Sequence, residues 1–315
     1  MAWVIWRQHR LQLLAVGGLV LLVAVAAVAT ALPVRAAYHR QALSSCLPPA
    51  LRPGCELIVG HFRSEFAARA AVARWLILLP GLAGVLIGAP LLAREFEHGT
   101  YRLAWTQGIS RQRWLLSKTA LLGLAVVAAS LALAGVAMWW REPFDHVDGR
   151  MSPAAFDVEG IVVPAYALFA LAVGILAGLV LRRTLAALSV AAAAFVAVRL
   201  GVEKLLRPRY LPPLHQVASG LSAPTRSRGW VLDNALVDTL GRKITTGRED
   251  LAVLHAQRAS VDPQQYFSSL GWRRVITFQP PDRFWVFQGI EAAIFVALAA
   301  VVLLAAVALV RRRPA

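Results

Sequence analysis

Glu95, Glu97 and His98 stand among Arg94, Arg102, Arg111, Arg113 and Lys118 in one short stretch, REFEHGTYRLAWTQGISRQRWLLSK (94–118). Side chains of these types could hold a metal, trade protons or meet a charged partner. Spacing narrows the choice. The seven histidines of the chain show no metal-ligand spacing. There is no H-E-x-x-H, C-x-x-C or G-x-S-x-G. Ser117-Lys118 is an adjacent pair, but it lies inside the basic stretch and belongs to no hydrolase set. The chain is therefore not expected to be an enzyme, and no catalytic residue, metal ligand or bound cofactor is assigned. Contact with a charged partner remains.

A helix over 94–105 would place Phe96, Thr100 and Leu103 on one less polar face, with Glu95, His98 and Arg102 elsewhere and exposed. Gly99 permits close backbone approach or a bend. Gly108 stops the helix, and Ser110 is the expected N-cap of the next one. This reads as a docking element. The alternative is an interfacial helix resting on lipid, with arginines on phosphate.

A second set of polar residues lies where apolar ones are expected. Glu291 follows Trp285 by six residues, about 9 Å along a helix. Gln288 is on the same face at i−3, and Arg199 sits near the end of another apolar run. A carboxylate inside a membrane span costs a few kcal/mol unless it is paired or hydrated. Two readings stay open: an Arg199–Glu291 ion pair that locks two spans together, or Gln288 and Glu291 facing a translocation path.

These residues must be positioned by a very apolar chain. Of its 315 residues 58% are hydrophobic, and mean hydropathy is +0.60. Soluble domains are nearer 45–50% apolar. Six runs read as transmembrane helices, at about 11–32, 70–93, 119–140, 160–181, 185–202 and 284–310. The first exceeds the core of a signal peptide and is read as a retained span. The net charge of +16 would suggest nucleic acid in a soluble protein. Here basic residues at span ends and anionic lipid account for it, so no nucleic-acid partner is expected. The preference for Arg over Lys, with abundant Ala, points to a high-GC bacterial genome.

Basic residues also predict orientation. Arg7 and Arg10, the 94–118 stretch, Arg182-Arg183 and Arg311–Arg313 all fall on one side of a six-span arrangement. That side, with both termini, is expected to be cytoplasmic. The opposite side carries an acidic loop at 141–159 (Glu142, Asp145, Asp148, Asp157, Glu159), read as solvated. It also carries SSCLPPALRPGCE, where Cys46 and Cys55 could close a disulfide in an oxidising compartment. MAWVIWRQHR reads as an N-terminal interfacial helix, with Trp3 and Trp6 beside Arg7 and Arg10. Residues 203–283 read as a small extracytoplasmic domain, with short helices at 231–240 and 249–259 and a strand at 272–278. The expected fold class is an all-α integral membrane protein. Its parts are spans 1–5 within 1–202, the domain at 203–283, and span 6 with a basic tail at 284–315.

Glu95, Gly99, Thr100, Thr106, Gln107, Ser110, Arg111, Leu115 and Lys118 form a pattern that resembles the cytoplasmic signature of ABC transporter permeases of the type-2 exporter superfamily. The six-span layout and QPPDRFWVFQGIE (279–291) at the opening of span 6 are similar too. The resemblance implies a bacterial plasma-membrane permease subunit that exports an amphipathic or apolar compound. It implies that the segment between spans 2 and 3 is a coupling helix (Glu95, Phe96, Glu97, His98, Gly99, Thr100, Tyr101, with Arg111). That helix would dock on a separate ATP-binding subunit. Glu97 and His98 are candidates to pair with the partner's charges. The implied assembly is two permeases, identical or not, with two ATPases that carry the ATP and Mg. The chain itself has no P-loop: Lys118, Lys204 and Lys243 follow no glycine. The rival reading is a non-transporting sensor or mechanotransmitting module acting through 203–283.

Overall fold

A computed structural model describes residues 2–46, 54–99, 110–219 and 228–312. Six of its helices are long and apolar enough to cross a membrane. The first, α1 (Ala2–Arg40), runs unbroken for 39 residues, about 58 Å by helical rise. Residues 2–10 therefore do not form a separate interfacial helix that turns into span 1, because nothing interrupts the hydrogen-bond ladder between them. After a 3-10 turn at Leu43–Cys46, α2 (Cys55–Ala73) follows. A second 3-10 turn, Arg74–Ile77, leads into α3 (Leu78–Glu97). The span read at 70–93 thus starts later. Arg74 and Trp75 fall in the irregular turn, and Pro80 sits in the first turn of α3, where its missing N–H breaks no bond.

Cys46 and Cys55 are joined by a disulfide, with Cα atoms 5.2 Å apart. It ties the start of α2 to the end of the α1 connection. Closing so short a loop restricts the unfolded chain by about 2–3 kcal/mol on a chain-entropy reckoning. Cys46→Ser/Cys55→Ser is therefore expected to speed hydrogen exchange across α2 and leave the central helices unchanged. Unaltered exchange in α2 would show that Phe62 and Phe66, both buried against α1 and the next long helix, hold it without the bond.

That next helix, α4 (Arg111–Asp148), begins at Ser110, whose Oγ accepts from Arg113 N at 3.3 Å. It packs on α1, where Trp140 Nε1 donates to Thr30 Oγ1 at 2.9 Å. A single turn, α5 (Pro153–Phe156), precedes α6 (Val162–Leu181), the most buried span. Arg182 ends it in the left-handed conformation, and α7 (Thr184–Gly201) follows. α6 lies against α3 so closely that backbone meets backbone. A Cβ placed on Gly84 or Gly88 would come within 2.4 Å of the Ala167 or Leu171 carbonyl oxygen.

Beyond α7 the helix widens into a π turn and then tightens into a 3-10 turn that ends at Arg209, so span 5 outlasts the boundary read at 202. Then comes a three-stranded antiparallel sheet, order β1-β3-β2, made of β1 (Leu214–Ser219), β2 (Trp230–Val237) and β3 (Arg273–Gln279). The 203–283 segment is therefore not all helical. Residues 231–237, part of the short helix expected at 231–240, instead pair with β3 from Trp230↔Gln279 to Val237↔Arg273. The ladder that stabilises β2 comes from a strand far along the chain, and local spacing cannot reveal it. Asp238 closes the following turn, and the backbone N–H of Arg242 leads the contacts that hold its carboxyl below the usual range. Helices α8 (Thr246–Arg258) and α9 (Pro263–Ser269) bury Ala252 and Phe267 with Leu236, Ile244 and Trp272. The last span, α10 (Phe284–Arg312), packs on α6 through Phe295 against Tyr166 and Phe169.

Candidate functional site

At one end of the bundle, side chains near the 94–118 segment tie together the ends of four long helices. Lys118 of α4 is buried, stacks over Trp114 at 4.6 Å and pairs with Glu95 of α3. Glu97 uses both carboxylate oxygens on the first residue of α7. Thr184 N donates to Oε1 at 2.9 Å and Thr184 Oγ1 to Oε2 at 2.6 Å. The natural N-cap of α7, Arg183, makes no side-chain cap bond, so a residue from α3 fills that role. Arg182 lies over the Phe96 ring at 5.6 Å. Arg311 near the end of α10 donates to Gln112 of α4 at 3.0 Å. His98 Nδ1 donates to the Arg94 carbonyl at 2.8 Å, and Gly99 adopts φ +69°, a conformation glycine takes without strain.

Glu97, a candidate to pair with a partner's charges, is exposed and engages Thr184 within the chain, because α7 starts with an uncapped N–H pointing at the end of α3. Arg94 and His98 are exposed. Thr100, Tyr101 and Trp105, with Thr106 and Gln107, lie outside the described residues.

The opposite end holds a buried ionic network. Arg207, 1% exposed, donates from Nη2 to Asp157 Oδ1 at 2.6 Å and to Glu291 Oε1 at 2.6 Å. Its Nε reaches Glu291 Oε2 at 2.7 Å. Tyr166 donates to Glu291 Oε1 at 2.5 Å, and Tyr210 donates to Oε2 at 3.1 Å. Burial, and then the Glu291 carboxylate, push the Tyr210 phenol well above its usual value, so it stays protonated as a donor. Arg199 pairs with Asp157 at 2.9 Å and with Glu203 at 3.2 Å.

The expected Arg199–Glu291 pair is therefore corrected: Glu291 takes Arg207, and Arg199 takes Asp157. Arg207 was missed because span 5 was ended at 202. The helical turns continue past it, and Arg199, Glu203 and Arg207 at i, i+4, i+8 carried the signal. Gln288 is 0% exposed and works as a strut. Its Oε1 accepts from Val162 N at 3.0 Å, and its Nε2 donates to the Phe156 and Glu159 carbonyls at 3.0 and 3.1 Å. Both Gln288 and Glu291 are 0% exposed within the chain.

The 141–159 segment is also not a solvated loop. Arg141, Asp145, Asp157 and Glu159 are buried. Glu159 accepts from Arg141 Nε at 3.0 Å and from Arg150 Nε at 2.8 Å. Glu159 is matched by Arg141 and Arg150 and Asp157 by Arg199 and Arg207, and this is what makes the burial of these two acids tolerable.

A family model described as ABC-2 membrane transporter related matches residues 17–207. That region includes the 94–118 segment and the chain up to Arg207. No curated protein and no solved structure matches the chain.

Proposed function

Since the chain belongs to the ABC-2 membrane transporter related family, we propose that it is the membrane permease subunit of an ATP-driven exporter and that a separate ATP-binding subunit docks on its 94–118 segment. The observation that carries this reading is the knot of helix ends beneath that segment. Glu95–Lys118, Glu97–Thr184 and Gln112–Arg311 link α3, α4, α7 and α10. A displacement delivered to residues 94–99 would reach four spans at once, through a charge pair, a capping carboxylate and a hydrogen bond. Such stiff links can bias a two-state arrangement of helices.

The same face carries Arg94, Arg182, Arg183 and Arg311, which supports a cytoplasmic assignment for it and for both termini. The chain has no P-loop, so the energy of ATP hydrolysis would come from the partner, which holds the nucleotide and Mg. Two permeases and two ATPases would form the working unit in a bacterial plasma membrane. An amphipathic or apolar compound is the proposed cargo.

Co-purification tests the docking. The chain is expressed with an ABC ATP-binding subunit encoded beside it, and the permease is captured. Wild type is expected to retain the ATPase. Arg94→Glu/His98→Glu places acids at two exposed positions and spares the internal ties of Glu95 and Glu97, and it is expected to reduce recovery at least about tenfold. Arg63→Gln, at the other end of the bundle, should retain it fully. An ATPase that binds neither wild type nor Arg63→Gln, or binds all three equally, would sink the docking assignment.

A further inference from the structure

A cavity of about 660 Å³ opens where α4 ends and α10 begins, and Trp139, Asp145, Arg150, Arg228, Asp282 and Trp285 contribute to its wall. Its volume is that of ordinary small-ligand sites. Two of its charged groups have unused bonding capacity. Asp145 is only 9% exposed, yet its Oδ1 accepts no hydrogen bond, and the nearest cation, Arg141 Nη2, lies 3.4 Å away. Arg150 spends its Nε on Glu159 and lies over the Phe284 ring at 4.1 Å, but its buried Nη2 donates to nothing. Beside them, Arg228 and Asp282 form no ion pair among the described residues.

The wall therefore offers one spare cationic donor and one spare carboxyl acceptor in depth, with an arginine and an aspartate nearer the surface. A purely anionic ligand would meet Asp145 and Asp282. A purely cationic one would meet Arg150 and Arg228. A head group carrying both charges satisfies all four. Because Asp145 Oδ1 lacks a donor, the cationic end must carry N–H groups, which a primary ammonium has and a quaternary ammonium lacks. Trp139 and Trp285 are 41% and 54% exposed, and they flank the cavity at the ends of two membrane spans. Tryptophan favours the head-group level of a bilayer. The occupant would thus come from the membrane, with its chains against the apolar spans and its head in the cleft.

We propose that this cavity binds a phospholipid of the ethanolamine type, with its phosphate on Arg150 and Arg228 and its ammonium on Asp145 and Asp282. The site is independent of the docking segment, which lies at the other end of the bundle.

The full chain, delipidated in detergent, is titrated by calorimetry with the dihexanoyl forms of phosphatidylethanolamine, phosphatidylcholine and phosphatidylglycerol. The ethanolamine lipid is expected to bind saturably, once per chain, about tenfold tighter than the other two. Arg228→Gln and Asp282→Asn alter a half-buried and an exposed group that hold no ion pair among the described residues, so the fold should survive. Each is expected to weaken ethanolamine-lipid binding by roughly tenfold with an unchanged melting temperature. Equal affinity for the three lipids, or variants that bind like wild type, would mean apolar partitioning only and overturn the proposal. If free phosphoethanolamine saturates the site as tightly as the lipid, the occupant is a soluble zwitterion and the lipid assignment fails.

Discussion

Arg207→Met is expected to be the most damaging single substitution in the chain, lowering stability by about 3–5 kcal/mol. The reason is what it leaves behind. Among the described residues Arg207 is the one cation paired with both Asp157 and Glu291, at 2.6 Å from each. Methionine would fill most of the space and keep the contact with Phe156, over which the guanidinium lies at 4.4 Å. It would strand Glu291, whose remaining partners are the hydroxyls of Tyr166 and Tyr210. Asp157 would keep Arg199. A loss of this size is a large part of the ~5–15 kcal/mol that holds a typical domain together. Thermal unfolding in detergent, read by loss of the monodisperse peak, measures it.

Two companion variants separate charge from shape. Arg207→Lys keeps the charge but not the forked, planar donor set, and should recover only part of the loss. Arg207→Met/Glu291→Gln removes the stranded charge and should be more stable than Arg207→Met alone, because a neutral amide can still accept from the two tyrosines. If Arg207→Met melts with wild type, the network does not hold α6, α7 and α10 together.

What was readable in advance follows a physical division. The six spans were legible because about 20 apolar residues in a row have few other uses. The helix start at Ser110 was legible because its hydroxyl has one nearby task. The ionic network was only half legible. Glu291 announced itself as a carboxylate among apolar neighbours, but its partner lay beyond an assumed helix end. A π turn at Val202–Leu206 leaves no composition change to mark it. Asp157 and Glu159 looked like loop acids because their arginines come from α4, α7 and the turn after them, and burial of a charge depends on partners that only the fold assembles. Likewise, β2 was taken for a helix because its pairing strand lies beyond two intervening helices. The α3–α6 seam was the reverse case. Gly84-x-x-x-Gly88 and Gly174-x-x-x-Gly178 are small-residue patterns that favour close packing of membrane helices, and they went unread because each span was judged by hydropathy alone.

That seam carries the second large effect. Gly88→Val is expected to separate α3 from α6 and to lower stability by at least about 3 kcal/mol, the upper range of a core overpacking cost. Rotamer choice offers no escape, because the conflict is at Cβ itself. The new atom would stand 2.4 Å from the Leu171 oxygen and 3.1 Å from its carbonyl carbon. Reaching ordinary contact needs a shift of roughly 1 Å or more. The opposing glycines leave no slack to absorb it, since Gly174 and Gly178 bring their own helix within 2.7 Å of Ala89 N and 2.5 Å of Ala89 O by the same test. The displaced helix is also the one that ends in Glu95 and Glu97. Its movement should therefore loosen the Glu97 cap on α7 as well as the core. Gly135 is the internal comparison. It lies within α4, and a Cβ there meets nothing within 4 Å. Gly135→Ala should be neutral or stabilise by up to ~1 kcal/mol, because alanine gives up less backbone freedom in a helix. Melting temperatures of Gly88→Val and Gly135→Ala, measured side by side in one detergent, decide the matter. A clear drop for the first alone means that α3 and α6 move as one rigid unit. Equal melting of both would mean that the two helices can part without cost, and that a push on residues 94–99 need not reach the rest of the bundle through α3.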